Sequence, residues 1–141
     1  MLNDPKLRDW RRQVGETGDL ADIVAVTLSL ASTRHGVSKI RLNDFYRQFG
    51  RLATKFPTLI PELHMTSIAG FSYSRPLGEA LEEALRLGPD IANPRFQFIV
   101  VQPDDGNRNL ERIRKRAGQD FIDKLQPVAE DLAAAENGID A

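Results

Sequence analysis

Cysteine is absent from the 141-residue chain, and histidine and methionine occur only twice each. Without cysteine there are no disulfides, thiolate metal sites or cysteine nucleophiles, and a reducing cytoplasm is the expected location. Charge of one sign is also lacking, because 19 Lys and Arg stand against 20 Asp and Glu. The chain as a whole therefore has no field that would attract DNA or a membrane.

Long apolar runs are lacking as well. The most apolar stretch, residues 20–31, is interrupted by polar side chains, and no apolar run follows the charged residues at the start of the chain. We therefore expect neither a membrane span nor a signal peptide. With 41% hydrophobic residues, a chain of this length can bury one core, and a single domain over residues 1–141 is expected.

Apolar residues do recur at helical spacing along most of the chain. Residues 19–35 predict a largely buried helix that stops at Gly36, after a shorter helix that begins at Asp4-Pro5 and ends near Gly15. Another helix is predicted from Asn43 or Asp44 to Phe56.

The clearest helix start is Ser74-Arg75-Pro76, with a hydroxyl cap and a proline in the first turn, and Gly88-Pro89 stops this helix after Leu87. Residues 58–69 have no clear pattern, and a short helix from Pro61 is expected there. The apolar stripe of the helix predicted at residues 74–87 consists of Leu77, Ala80, Leu81, Ala84 and Leu85.

Two segments favour strands. Residues 38–42 suit a brief edge strand, and residues 95–102 alternate β-branched and aromatic side chains. Phe96 and Phe98 are expected in the core on one face of the second strand, and Ile91 in its hairpin partner.

The C-terminal part is charged at first and then apolar. Residues 103–106 are expected to form a loop, followed by a charged helix through Leu110 and Ala117. Pro127 interrupts the later apolar spacing, so a kink or a new helix start is expected there. The end from Ala133 on, above all residues 136–141, is expected to fray.

These elements predict an α+β fold that is mostly helical. A winged-helix-like core over about residues 19–102 with a small β-hairpin is followed by a C-terminal helical segment over residues 107–135. The order helix, short strand, helix, turn, helix, strand is that of a winged helix-turn-helix, with residues 74–87 as the last helix.

The segment from Gly70 to Gly88 (GFSYSRPLGEALEEALRLG), followed by Ile91 and by NPRFQFIVV at residues 93–101, resembles small winged-helix-like prokaryotic proteins such as the Panacea antitoxin group and related defence-system components. There an aromatic-Ser cap, a Leu-rich helix and a wing strand recur in that order. The resemblance covers residues 70–101. It implies a partner-binding or regulatory role and no catalytic residues.

Basic residues form two sets that suggest contact with nucleic acid or an acidic partner. A helix that reads DNA must not repel phosphates, yet the helix of residues 74–87 has three glutamates against two arginines. DNA binding would therefore depend on the cations of the two basic sets. The alternative is that both sets are solvated surfaces whose charge offsets the acidic C-terminal segment. The two sets are Arg108, Arg112, Arg114, Lys115 and Arg116, and Arg34, Lys39, Arg41, Arg47, Arg51 and Lys55.

An apolar seam near the C-terminus has two interpretations. It could bind a protein partner, or it could pack against the helix of residues 19–35. The seam consists of Phe121, Leu125, Val128 and Leu132.

No reaction is indicated. His35 and His64 lack the neighbouring ligands of a metal site, and no nucleophile, base and stabiliser converge in the pattern, so we expect no cofactor, no metal and no enzyme activity. The leading hypothesis is a module that binds a protein partner or forms a homodimer, with no membrane contact. A DNA-binding regulator that uses the basic sets is the alternative.

Overall fold

The computed structural model describes the backbone of residues 5–87 and 98–138, and the side chains of residues 20–85 and 98–138. It is mostly helical, with two small antiparallel strand pairs, and this confirms the α+β, mostly helical class. The predicted strand residues 95–97, Ile91, the Asp4 cap, the Gly88-Pro89 stop and residues 139–141 lie outside the described part.

The longest element is helix α1, Pro5–His35. The prediction of two helices with a break near Gly15 is wrong. A single glycine costs a helix only about 1 kcal/mol relative to alanine, and no proline interrupts the segment. Gly36, with φ of +74°, ends α1, and the Val37 N–H donates to the carbonyl oxygen of Ala31.

The second half of α1 is the centre of the core. Leu20, Val24, Leu28 and Leu30 are almost inaccessible to solvent, and this confirms that the helix is largely buried. It packs against the helices α3 (Arg75–Leu87), α4 (Pro103–Ala117) and α6 (Gln126–Glu136). A helix apolar around so much of its circumference needs neighbours on several sides.

Strand β1, Lys39–Arg41, pairs antiparallel with β4, Phe98–Val100. The buried pair is Ile40 and Ile99, which lie opposite each other in the register. The assignment of Phe98 to the core is wrong. Side chains alternate along a strand, and because Ile99 and Val101 take the buried face, Phe98 lies on the other face and is only half-buried.

Helix α2, Leu42–Lys55, begins one residue before the predicted caps and buries Phe45, Phe49 and Leu52. The segment after it is not the expected helix from Pro61. Instead β2, Thr66–Ile68, and β3, Phe71–Tyr73, form an antiparallel hairpin. Ile60 and Leu63 anchor the preceding loop in the core.

Helix α3 begins as predicted. The Leu77 N–H donates a hydrogen bond of 3.1 Å to Ser74 Oγ, so Ser74 caps the helix. Leu77, Ala80, Leu81 and Ala84 form the buried stripe.

The loop predicted at residues 103–106 is the first turn of α4. Proline fits the first turn of a helix, and Asp104 and Asp105 lie at the positive end of its dipole. Gly106 is buried against Ser29 of α1, so this turn is part of the core.

A short helix α5, Gln119–Lys124, leads into α6. Pro127 lies in the first turn of α6, which confirms the predicted new start. Fraying from Ala133 is wrong, because α6 continues to Glu136 and Ala133 is buried.

Candidate binding groove

The large apolar side chains that are exposed in the described part of the chain all lie between residues 65 and 73. Their exposed fractions are 37% for Met65, 61% for Ile68, 58% for Phe71 and 43% for Tyr73. Scattered apolar residues are normal on a protein surface, but a contiguous set marks a place where something binds.

The hairpin collects three of these side chains, Ile68, Phe71 and Tyr73, on one face, whereas Met65 precedes β2 and lies beside Gly50 of α2. Ile68 is opposite Phe71 in the register and Thr66 is opposite Tyr73, and directly opposed residues project to the same side of a sheet. Residues in between project to the other side, which has Ser67 and Ser72. One face of the hairpin is therefore apolar and the other polar. We call the side with Ile68, Phe71 and Tyr73 the hairpin face.

A groove of about 550 Å³ adjoins the hairpin face. Its walls are β3, the first turns of α2, and the ends of β1 and β4 that face the hairpin. This volume falls within the range of ligand-binding clefts in proteins, which is roughly 300–1,000 Å³. The lining residues are Arg41, Leu42, Asn43, Tyr46, Phe71, Ser72, Tyr73 and Phe98.

Two tyrosines hold the hairpin against α2. The ring centroids of Tyr46 and Tyr73 are 5.3 Å apart with the planes tilted by 44°, a contact typical of packed aromatic pairs. Gly78 of α3 makes room for them, because a Cβ at this position would lie 2.8 Å from Tyr46 Oη. Burial, together with Tyr73 and Glu82, raises the pKa of Tyr46, so its hydroxyl stays neutral at physiological pH.

The other end of the groove is cationic. Lys39 Nζ lies 4.1 Å from the centroid of the Phe98 ring, and Arg41 Cζ lies 6.0 Å from it. Arg41 is opposite Phe98 in the β1–β4 register, so both side chains project to the same side of the sheet. The cations are thereby fixed over an aromatic ring and remain exposed to solvent.

A second cleft, of about 350 Å³, continues the groove beyond the tyrosines. It shares Tyr46 and Tyr73 with the groove, and its far wall is the surface of α3 with Glu79 and Glu82. Glu79 accepts a hydrogen bond of 3.0 Å from Arg75. The continuous surface is thus positive at the β1 end and has an exposed carboxylate, Glu82, at the α3 end.

The predicted basic set on α4 is largely engaged within the chain. Arg108 pairs with Asp105, Arg114 with Glu111, and Arg116 with Asp22 of α1. Arg112 donates a hydrogen bond to the buried Asn109. Lys115 is exposed.

The second basic set separates into two parts. Arg47 pairs with Asp44, while Arg51 and Lys55 both contact Asp131 of α6. Lys39 and Arg41 belong to the groove, and Arg34 is exposed near the end of α1. Carboxylates of the same chain therefore accompany most of the predicted cations.

The predicted C-terminal seam is mostly internal. Leu125, Val128 and Leu132 are buried, and α6 packs against α1 and α2. Only Phe121 is half-buried. Of the two interpretations of this seam, packing against α1 is the one observed. Leu125, Val128 and Leu132 are therefore not accessible to a partner in this conformation.

Neither histidine lies in the groove lining. His35 is the last residue of α1, and His64 is exposed in the loop before β2, where its backbone N–H donates to Glu62. Among the side chains that the structure describes, in residues 20–85 and 98–138, no three histidine or acidic groups are placed so that they could hold a metal ion.

Comparison of the chain with protein families, curated proteins and solved structures found no match. None of the helices in the described ranges is long and apolar enough to cross a membrane.

Lys39 and Arg41 are among the cations that the sequence pattern indicates, but the aromatic residues beside them are not. Phe71 was not singled out, and Phe98 was assigned to the core. A signal existed in the alternation of residues 71–73, where two aromatic side chains flank a serine, as expected of a strand with one apolar face.

Proposed function

We propose that the chain is a non-enzymatic protein-binding module whose partner docks on the hairpin face and in the adjoining groove. The observation that supports this most strongly is the confinement of the exposed large apolar side chains of the described residues to positions 65–73. Burial of such a surface is the main source of free energy in protein association. Aromatic residues in a partly enclosed site are also typical of the residues that dominate binding energy.

The setting of this module is a further part of the proposal. The resemblance of residues 70–101 to winged-helix-like antitoxins favours a regulatory role in a prokaryotic cytoplasm, and the winged-helix arrangement stays a prediction. The β1–β4 pair brackets α2 and α3, as in a winged helix, but the β2–β3 hairpin lies between these two helices. The function proposed here depends on the hairpin face and not on that fold assignment.

A partner test can be made at single positions. We would place a photo-reactive benzoylphenylalanine at Phe71 in the tagged full chain and, as a control, at Lys115 on α4. After irradiation in the native host, cross-linked proteins are identified by mass spectrometry. A defined partner at position 71, absent at position 115 and lost with Ile68→Ser, supports the proposal. Identical products at both positions, or none, contradict it.

A DNA-binding regulator is the alternative, and exposed Lys115 with the arginines of α4 is the feature that favours it. The ion pairs of Arg108, Arg114 and Arg116 weigh against it, because phosphates would have to displace carboxylates that are already in place. Binding to nonspecific duplex DNA should fall steeply with salt if several phosphates are contacted. Absence of binding at low salt would rule out this alternative.

A further inference from the structure

The two ends of the continuous surface differ in charge, and this difference bears on what the groove accepts. At the β1 end, Arg41 lines the groove and Lys39 lies over the Phe98 ring. Among the described side chains, those of residues 20–85 and 98–138, neither cation has a carboxylate partner. Among the described residues, no acidic side chain lines the groove itself. The adjoining cleft wall has two glutamates, of which Glu79 pairs with Arg75 and Glu82 is exposed.

The shape of the site indicates an extended occupant. All three residues of β3 line the groove, although they project alternately to both sides of the hairpin. The groove therefore follows the edge of β3 that is unpaired in the described sheet, where β3 pairs only with β2. Such an edge offers backbone N–H and C=O groups to an added peptide strand. The hairpin face also continues past the groove lining to Ile68, which lies opposite Phe71.

From these observations we infer that the groove binds an extended acidic segment of a partner protein, in which a carboxylate is close to a large apolar side chain. The apolar side chain packs on Phe71 of the hairpin face, and the carboxylate accepts hydrogen bonds from Arg41 with Lys39 nearby. Glu82 at the opposite end repels acidic residues and so fixes the direction of the segment. This inference rests on the proposed function and adds the chemistry of the partner.

Single-stranded nucleic acid, like an acidic peptide with an apolar side chain, binds to cations and aromatic rings, but it fits the groove less well than such a peptide. Tyr46 and Tyr73 pack against each other, and the Phe98 ring is already covered by cations, which leaves Phe71 as the most exposed aromatic ring of the groove lining for a base. Two cations also give few phosphate contacts, whereas binding of single strands depends on a charged track and several stacked bases.

The test begins with selection of random peptides on the immobilised full chain, carried out in parallel with the wild type, Arg41→Glu and Lys115→Glu. We expect the wild type and Lys115→Glu to enrich sequences with Asp or Glu near Phe, Leu or Ile, and Arg41→Glu to lose the acidic preference. Lys115→Glu is the matched control, since it makes the same charge change on α4 outside the groove.

Affinities of the best labelled peptide are then measured by fluorescence anisotropy. Loss of one charge-assisted contact should weaken binding about tenfold, so we expect this loss for Arg41→Gln and for the peptide with its acid replaced by the amide. The milder Arg41→Gln variant, with a thermal unfolding curve for each protein, separates loss of binding from loss of folding. If neither Arg41→Gln nor the replacement of the peptide's acid by the amide changes the affinity, the inference is wrong.

The remaining outcomes distinguish the inference from the proposed function. Enriched peptides that need Phe71 but show no acidic preference refute the acidic segment and leave the binding module intact. Peptides that bind equally well to Phe71→Ser contradict both. A labelled oligothymidylate that binds the wild type but neither Phe71→Ser nor Arg41→Gln would assign the groove to single-stranded nucleic acid instead.

Discussion

Ser74 Oγ donates a buried hydrogen bond to the carbonyl oxygen of Leu63, and this bond joins the two chain segments that enter and leave the β2–β3 hairpin. The same oxygen accepts the Leu77 N–H and caps α3. One hydroxyl thus links the start of a core helix to the base of the hairpin. Together with the Tyr46–Tyr73 contact, it holds the hairpin beside α2 and α3.

Ser74→Ala should therefore destabilise the fold by about 1–2 kcal/mol, since it removes an N-cap and leaves the Leu63 carbonyl without this donor in a buried site. Urea unfolding followed by circular dichroism measures the change. Ser67→Ala, at an exposed position of β2, serves as the control and should differ little from the wild type. Equal stability of the two variants would contradict the capping role.

The turn of the hairpin contains a second testable feature. Ile68 pairs with Phe71, so Ala69 and Gly70 form a two-residue loop, and both have positive φ, +52° and +84°. This is the pattern of a type I′ turn, which favours asparagine at its first position because an alanine pays a steric penalty there. Ala69→Asn should raise the free energy of unfolding by about 0.5–1 kcal/mol. Gly70→Ala is expected to lower it, and thermal unfolding of both variants checks the opposite signs.

That turn also explains why the hairpin was not predicted. An Asn-Gly pair between alternating residues would have indicated it, but Ala69-Gly70 is not such a signal, and Pro61 suggested a helix start. The Ser74 cap, the Pro127 helix start and the apolar stripe of α3 follow local rules and were predicted correctly. Local sequence was sufficient to predict these features because each depends on residues close together in the chain.

The groove could not be derived in the same way, because its parts come together only through tertiary pairing. Phe98 reaches it through the antiparallel register of β4 with β1, which are far apart in the chain. The alternation along β4 shows that the strand has two faces, but it does not show which face is buried. That Ile99 is buried and Phe98 is not depends on the core beneath the strand. The continuity of α1 through Gly15 was missed because a local signal was given too much weight. One glycine is weak evidence for a helix end.

The crossing of α1 and α4 allows no side chain at Gly106. A Cβ there would lie 3.1 Å from the carbonyl oxygen of Ser29 and 2.8 Å from Cγ2 of Thr33. The backbone of α1 cannot move without disturbing the core around it, so Gly106→Ala should destabilise the protein by about 1–3 kcal/mol, despite the higher helix propensity of alanine. Asn107→Ala, at the exposed neighbouring position in α4, provides the control. A Gly106→Ala variant as stable as the wild type would show that the helices separate easily.

Asp131 joins α6 to α2 through Arg51, at 2.6 Å, and through Lys55. Burial alone would raise the pKa of Asp131, but the hydrogen bonds from Lys55 and Arg51 outweigh burial and hold it below its usual value. A carboxyl whose pKa is lower in the folded state stabilises the protein above its unfolded pKa, about 3.9, and this contribution disappears as the pH falls through the folded pKa.

Asp131→Asn should therefore cost about 1 kcal/mol at pH 7, a modest value because Arg51 and Lys55 are partly exposed. The difference from the wild type should shrink as the pH is lowered from 5 towards 3, about the ordinary range of aspartate titration. Urea unfolding across this range measures it. Glu130→Gln, an exposed position on the same helix, should show a smaller difference at pH 7. A constant cost of Asp131→Asn at every pH would mean that the carboxylate acts through packing and not through its charge.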